Sequence, residues 1–206
     1  MIRLATSVSY EPKDFASLRG LKGIPDALVE AHLKLYEGYV KGINALRDRL
    51  EKNEIGTPEW SEIMRRTGFE INGMRLHELY FDNLKPEGEP PSKGMEGAFS
   101  ATWRSFDRWK DEFRALGSLR GVGWVILYRD RETGRLSNHW IGLHEEGHPV
   151  GFAPLLVMDL WEHAFTGMER ERYVEAFLSN VDWAEVERRM IDSKPRNATG
   201  LVGSLA

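Results

Sequence analysis

The 206-residue chain contains no cysteine, which excludes disulfides, thiolate metal sites and iron–sulfur clusters. Any metal must therefore be held by imidazole and oxygen ligands, a donor set that suits iron and manganese. A surplus of basic charge is also missing. With 28 Lys and Arg against 32 Asp and Glu the formal net charge is −4, and the basic residues are scattered among acids, so no nucleic-acid footprint is present. Long apolar runs are lacking too. MIRLATSVSYEPKDF at the N-terminus holds no apolar stretch of the roughly 7–15 residues found in a secretory signal, and no later segment reaches the ~18 apolar residues of a membrane span. A cytoplasmic protein with no membrane or nucleic-acid partner is the expectation. What is present suffices for a packed core, since 41% of residues are hydrophobic and 11% aromatic.

Residues 25–51 read as one helix, with Leu28, Leu35, Tyr39, Ile43 and Leu46 recurring at the spacing of a buried stripe. Pro25 and Asp26 suit its first turn. A second helical pattern runs from about Pro58 to Asn83, and two long helices joined by a short polar link are expected to pair as a hairpin. The stretch KPEGEPPSKG at 85–94 cannot continue a helix, so a boundary is placed there. It divides the chain into a helical-hairpin unit, 1–88, and a mixed unit, 89–206. Gly97 to Leu116 reads as a helix carrying Phe99, Trp103, Phe106, Trp109 and Phe113. WVILYRD, a turn at ETG, RLSNHWIGL and GFAPLLVM then read as a three-stranded antiparallel sheet. Helices return after Trp161, and the small, polar tail from Ser193 onwards is expected to fray. The fold class is α+β.

The most informative segment is Met158-Asp159-Leu160-Trp161-Glu162-His163-Ala164. A carboxylate and an imidazole four residues apart read as half of a metal site, although the same spacing also serves ordinary hydrogen bonds on a helix. The surrounding text, PLLVMDLWEHAF followed by YVEAFLSNVDWAEVERRM, resembles the C-terminal signature of the iron/manganese superoxide dismutases, whose motif is D-x-W-E-H-A. The resemblance covers roughly residues 8–192 and implies the hairpin-plus-sheet order read above.

It also implies the remaining ligands. In Leu76-His77-Glu78-Leu79-Tyr80-Phe81-Asp82-Asn83-Leu84, His77 takes the ligand position of the family's second helix, with Leu76 and Phe81 replacing its asparagine and tryptophan. In His32-Leu33-Lys34-Leu35-Tyr36-Glu37-Gly38-Tyr39-Val40, His32 takes that of the first helix, where the family reads H-x-x-x-H-H-x-x-Y-V. One residue is missing here and two histidines are gone. At about 100° per residue, a tyrosine eight places on returns to the ligand face only if a π-bulge absorbs one residue, whereas seven places do so in a regular helix. The first helix is therefore expected to lack a bulge, with Tyr39 at the mouth of the site and Tyr36 in the place of the family's second histidine. Read alone, both tyrosines also fit as packing residues.

His32, His77, Asp159 and His163 would thus hold one iron or manganese ion, leaving a fifth position for water or hydroxide. The implied activity is superoxide disproportionation to dioxygen and hydrogen peroxide by a ping-pong redox cycle. The family's donor to the bound solvent is usually a glutamine, either on the second helix or after the middle strand. Here the helix position is Gly73 and the strand position is His144. Trp124 and Trp161 match tryptophans that wall the pocket. Arg170, three residues before Tyr173, matches an arginine that guides the anion. Glu162 matches the acid that reaches the ligand histidine of a second subunit, so a homodimer, or a tetramer of such dimers, is implied; Thr166 stands where the family places a tyrosine. Two other readings stand beside this one, a fold relative without turnover and a different non-haem metalloenzyme, for which a fourth protein ligand leaves little open coordination.

Overall fold

The computed structural model describes residues 9–194. Helix α1 spans Asp26–Lys52 and α2 spans Pro58–Asp82. The two pack against each other as the expected hairpin. Thr57 caps α2 by accepting the Trp60 amide, with Pro58 in the first turn where its missing N–H costs nothing. Helix α1 is α-helical throughout, without a π-bulge.

The apolar run over 97–116 is two helices rather than one, α3 (Lys93–Trp103) and α4 (Phe106–Gly117). Arg104 turns left-handed at φ 70°, and Ser105 caps α4 by accepting the Arg108 amide. The hydrophobic spacing misleads here because the apolar face continues across the bend. Phe99 meets Trp109 at 4.4 Å and Phe106 at 5.3 Å between ring centroids, with Trp183 packed against all three. Burying each such ring contributes about 1.5–3 kcal/mol.

Strands β1 (Gly123–Asp130), β2 (Leu136–Gly142) and β3 (Phe152–Asp159) form an antiparallel sheet in the order β2-β1-β3. β1 is buried from Gly123 to Tyr128 because it is central and covered. The register pairs Trp124 with both Ile141 and Asp159. The beginning of β1 and the ends of β2 and β3 therefore meet at one edge. A 3-10 turn, Glu162–Ala164, follows β3 and packs on α1, and helices α5 (Arg170–Ser179) and α6 (Trp183–Asp192) complete the described chain.

Two buried polar side chains lock α2 to the sheet. Asn83 accepts the Val157 amide at 2.9 Å, and Arg189 donates to the carbonyls of Leu155 and Leu79 at 3.0 Å each. Unpaired, each group would carry a desolvation cost of about 1–3 kcal/mol or more. No helix among the described residues is long and apolar enough to cross a membrane. The tail expected to fray lies, from residue 195 onwards, outside the described residues.

Candidate metal centre

Asp159 is the last residue of β3 and is fully buried. Its Oδ1 accepts the Trp161 amide at 2.8 Å, which bends the chain directly into the 3-10 turn. That turn returns His163 to the same carboxylate, its Nε2 lying 3.1 Å from Oδ2. The four-residue spacing is thus met by a strand end and a turn, not by a helix face. His32 approaches from α1 with Nε2 at 3.1 Å from the same oxygen, and His77 from α2 at 3.5 Å. The four donor atoms lie within 4.8 Å of one another.

The donor from α2 is aimed by a bond behind it. His77 Nδ1 lies 2.6 Å from the Gly73 carbonyl, which only accepts, so Nδ1 carries the proton and the Nε2 lone pair faces inward. Burial lowers the His77 pKa to about 3 and lowers that of His32 as well. Burial alone would raise the Asp159 pKa, but hydrogen bonds from His163 and His32 hold it below the usual carboxylate range. Three imidazoles ringing a buried carboxylate, two of them held neutral by burial, leave a negative charge that calls for a cation. This donor set, three nitrogens and one oxygen, fits an iron or manganese ion.

Around the ligands stand four of the residues expected there. Tyr39 stacks on His77 at 5.1 Å, and its hydroxyl lies 2.8 Å from His144 Nε2. His144, just past β2, is fully buried, and its Nδ1 accepts the Trp124 indole N–H at 3.1 Å. An indole only donates, so His144 carries its proton on Nε2 and donates to the Tyr39 oxygen. Trp161 stacks on His144 at 4.8 Å and on His163 at 6.1 Å. Burial lowers the His144 pKa to about 4; burial, then the Asp159 charge, raises that of Tyr39 to about 12.

The other expected residues stand farther out. The Tyr36 hydroxyl accepts the Lys13 amide at 2.9 Å and donates to Glu78 at 3.1 Å, one ring removed from His32 behind Phe81. Tyr173 donates to Tyr80, whose ring packs 5.0 Å from His32. Arg170 donates to the carbonyls of Leu119 and Gly121 at 2.9 Å each, bracing the loop before β1. Glu162 is exposed, and its carboxylate has no partner among the described residues. Sequence reasoning missed Asn72, whose amide donates to the His144 carbonyl at 2.8 Å, and Phe69, whose ring lies 4.5 Å from that of His144. The hint for both was their place on α2, with Asn72 one residue and Phe69 four residues before Gly73.

Residues 91–189 match the family model of the iron/manganese superoxide dismutase C-terminal domain. An iron superoxide dismutase of Saccharolobus solfataricus is 33% identical over 181 residues, 82% of this chain and 84% of the relative. A manganese superoxide dismutase of Haloferax volcanii is 32% identical over 162 residues, 75% and 80% of the two chains. One of Mycobacterium intracellulare, also described as manganese-dependent, is 32% identical over 165 residues, 77% and 80%. With the four donors converging as they do, the chain belongs to the iron/manganese superoxide dismutase family.

Proposed function

We propose that this protein disproportionates superoxide, two anions and two protons giving one dioxygen and one hydrogen peroxide, with Tyr39 and His144 managing the protons. The convergence of His32, His77, Asp159 and His163 on one point carries the reading. When bound there, an iron or manganese ion supplies one-electron chemistry by alternating between its trivalent and divalent states.

The chain's own residues do the rest. His144 donates to the Tyr39 oxygen, so the Tyr39 proton is turned away from His144 and is free to meet an anion. With its pKa raised to about 12, Tyr39 keeps that proton at neutral pH. The Trp124 and Trp161 rings pack on His144, and Trp161 also on His163, an apolar wall that strengthens these hydrogen bonds. His163 has 21% of its side chain exposed against 3% or less for the other three ligands, which supports entry of a small anion past His163. Among the described residues Arg170 bonds two neutral carbonyls and no carboxylate, which supports a charge left free to guide that anion.

The same edge supports a homodimer, or a tetramer of two such dimers, as the assembly of this protein. Among the described residues the Glu162 carboxylate has no partner, and the ring bonds of His163 run through Nε2 alone. Glu162 bonding His163 of a second copy across a two-fold axis would satisfy both and orient the ligand. The ligands also bridge the proposed boundary at 88/89, two from each side, so metal binding would tie the halves together.

Replacing Asp159 by Ala tests the centre. Bound metal, measured by elemental analysis, and superoxide-scavenging activity should be lost together. Full activity in this variant would refute the site.

A further inference from the structure

We infer that His148 is a positioning residue for this reaction, clamping the main chain of His144 so that its ring stays between Trp124 and Tyr39. The inference rests on the proposed role of His144.

His144 sits on a short loop with nothing regular to hold it. The chain leaves β2 through Leu143, left-handed at φ 50°, and doubles back so that Gly142 and Glu146 exchange both main-chain hydrogen bonds. Gly147 follows at φ 99°, where a Cβ would stand 2.9 Å from the Trp140 carbonyl. This turn brings His148 back under His144. His148 Nε2 lies 3.0 Å from the His144 carbonyl, and its Nδ1 lies 2.7 Å from the Tyr128 hydroxyl.

The roles follow from the partners. A carbonyl only accepts, so His148 Nε2 carries a proton, and neutral His148 accepts the Tyr128 proton at Nδ1. A second proton, at Nδ1, would reverse that bond without breaking either link. Tyr128 lies in β1, 3% exposed, and burial keeps its phenol protonated far above neutral pH. The clamp is thus anchored in the sheet at one end. At the other, Asn72 of α2 donates to the same His144 carbonyl, so helix and sheet grip one oxygen from two sides.

That grip matters because His144 must meet two partners at once. A small rotation about its backbone would trade the 3.1 Å bond from Trp124 or the 2.8 Å bond to Tyr39 for a misaligned contact. Losing the Trp124 bond would release the tautomer that directs the Tyr39 proton.

The test uses the full chain, metal-free for nitrogen-15 NMR of the histidine rings and metal-loaded for kinetics. Wild-type His144 should show a single Nε2–H tautomer. His148→Ala should mix the tautomers and lower kcat about tenfold at unchanged metal content, the value of one well-placed hydrogen bond. His148→Gln, whose amide can still reach the His144 carbonyl, should restore both readouts. A single tautomer with unchanged kcat in His148→Ala would overturn the inference. Should that variant fail to fold, Tyr128→Phe removes only the far anchor and should shift both readouts in the same direction; no shift would overturn the inference. His144→Ala separates the two readings. Full kcat there would sink the His144 role itself, whereas reduced kcat there beside wild-type behaviour in His148→Ala would sink only the clamp.

Discussion

The ring of Tyr39 fills the space that any side chain on residue 73 would need. A Cβ built on Gly73 would lie 2.6 Å from the Cδ1 and Cε1 atoms of that ring. This contact leaves no room for a hydrogen-bonding side chain at this position of α2, and it agrees with the proposal that His144, on the loop after β2, takes that part. It also explains how a tyrosine seven residues after His32 reaches the site from an unbroken helix.

Gly73→Ala should therefore push Tyr39 off His144. Overpacking of this kind costs about 1–3 kcal/mol, and α1 would have to yield to keep the hairpin closed. The expected outcome is a melting temperature lowered by several degrees and a clear loss of kcat with metal retained. Thermal unfolding, metal analysis and kinetics on one preparation check it, and an unchanged kcat would argue against a role for Tyr39.

The metal-free protein should lose stability as the pH falls. His77 and His144 have folded pKa values near 3 and 4, both lowered by burial, against about 6.5 in an unfolded chain. Between those limits the unfolded chain binds protons that the folded one refuses, so unfolding becomes easier as pH drops from about 6.5 towards 3–4. Above about 6.5 this contribution is fully present. Denaturant titrations at pH 5 and pH 7.5 measure it, and equal stability at the two would contradict the buried, neutral state of these rings.

Glu162→Ala should weaken self-association without unfolding the chain, because the side chain is exposed and makes no bond among the described residues. Sedimentation velocity over a dilution series should show dissociation at concentrations where the wild type remains paired. An identical profile for the two proteins would count against the interface.

Much of this was legible in the sequence, for identifiable reasons. The Asp159-to-His163 motif is compact because a single turn makes it. The extent of α1 was legible but its buried face was not. Of the stripe read through Leu28, Leu35, Tyr39, Ile43 and Leu46 only Ile43 is buried. The packed face carries Val29, His32, Tyr36, Val40 and Ile43, whose polar His32 and Tyr36 a search for apolar residues passes over. The bend at Arg104 was not legible, since Phe99, Phe106 and Trp109 keep their helical spacing while the backbone turns between them. Arg170 was read as a charge beside the entrance; its bonds to Leu119 and Gly121 depend on how α5 meets the loop before β1. Asn72 and His148 escaped for a related reason. Both act on the main chain of His144, and contacts to a carbonyl leave no residue-type signature at the far end.

The most direct test is to prepare the metal-free chain, reconstitute it separately with iron and with manganese, and measure bound metal and superoxide-scavenging rate on each sample. Near-stoichiometric binding, one ion per chain, with fast turnover for at least one metal is the expected result. A folded protein that takes up neither metal, or that binds metal and leaves superoxide untouched, would contradict it.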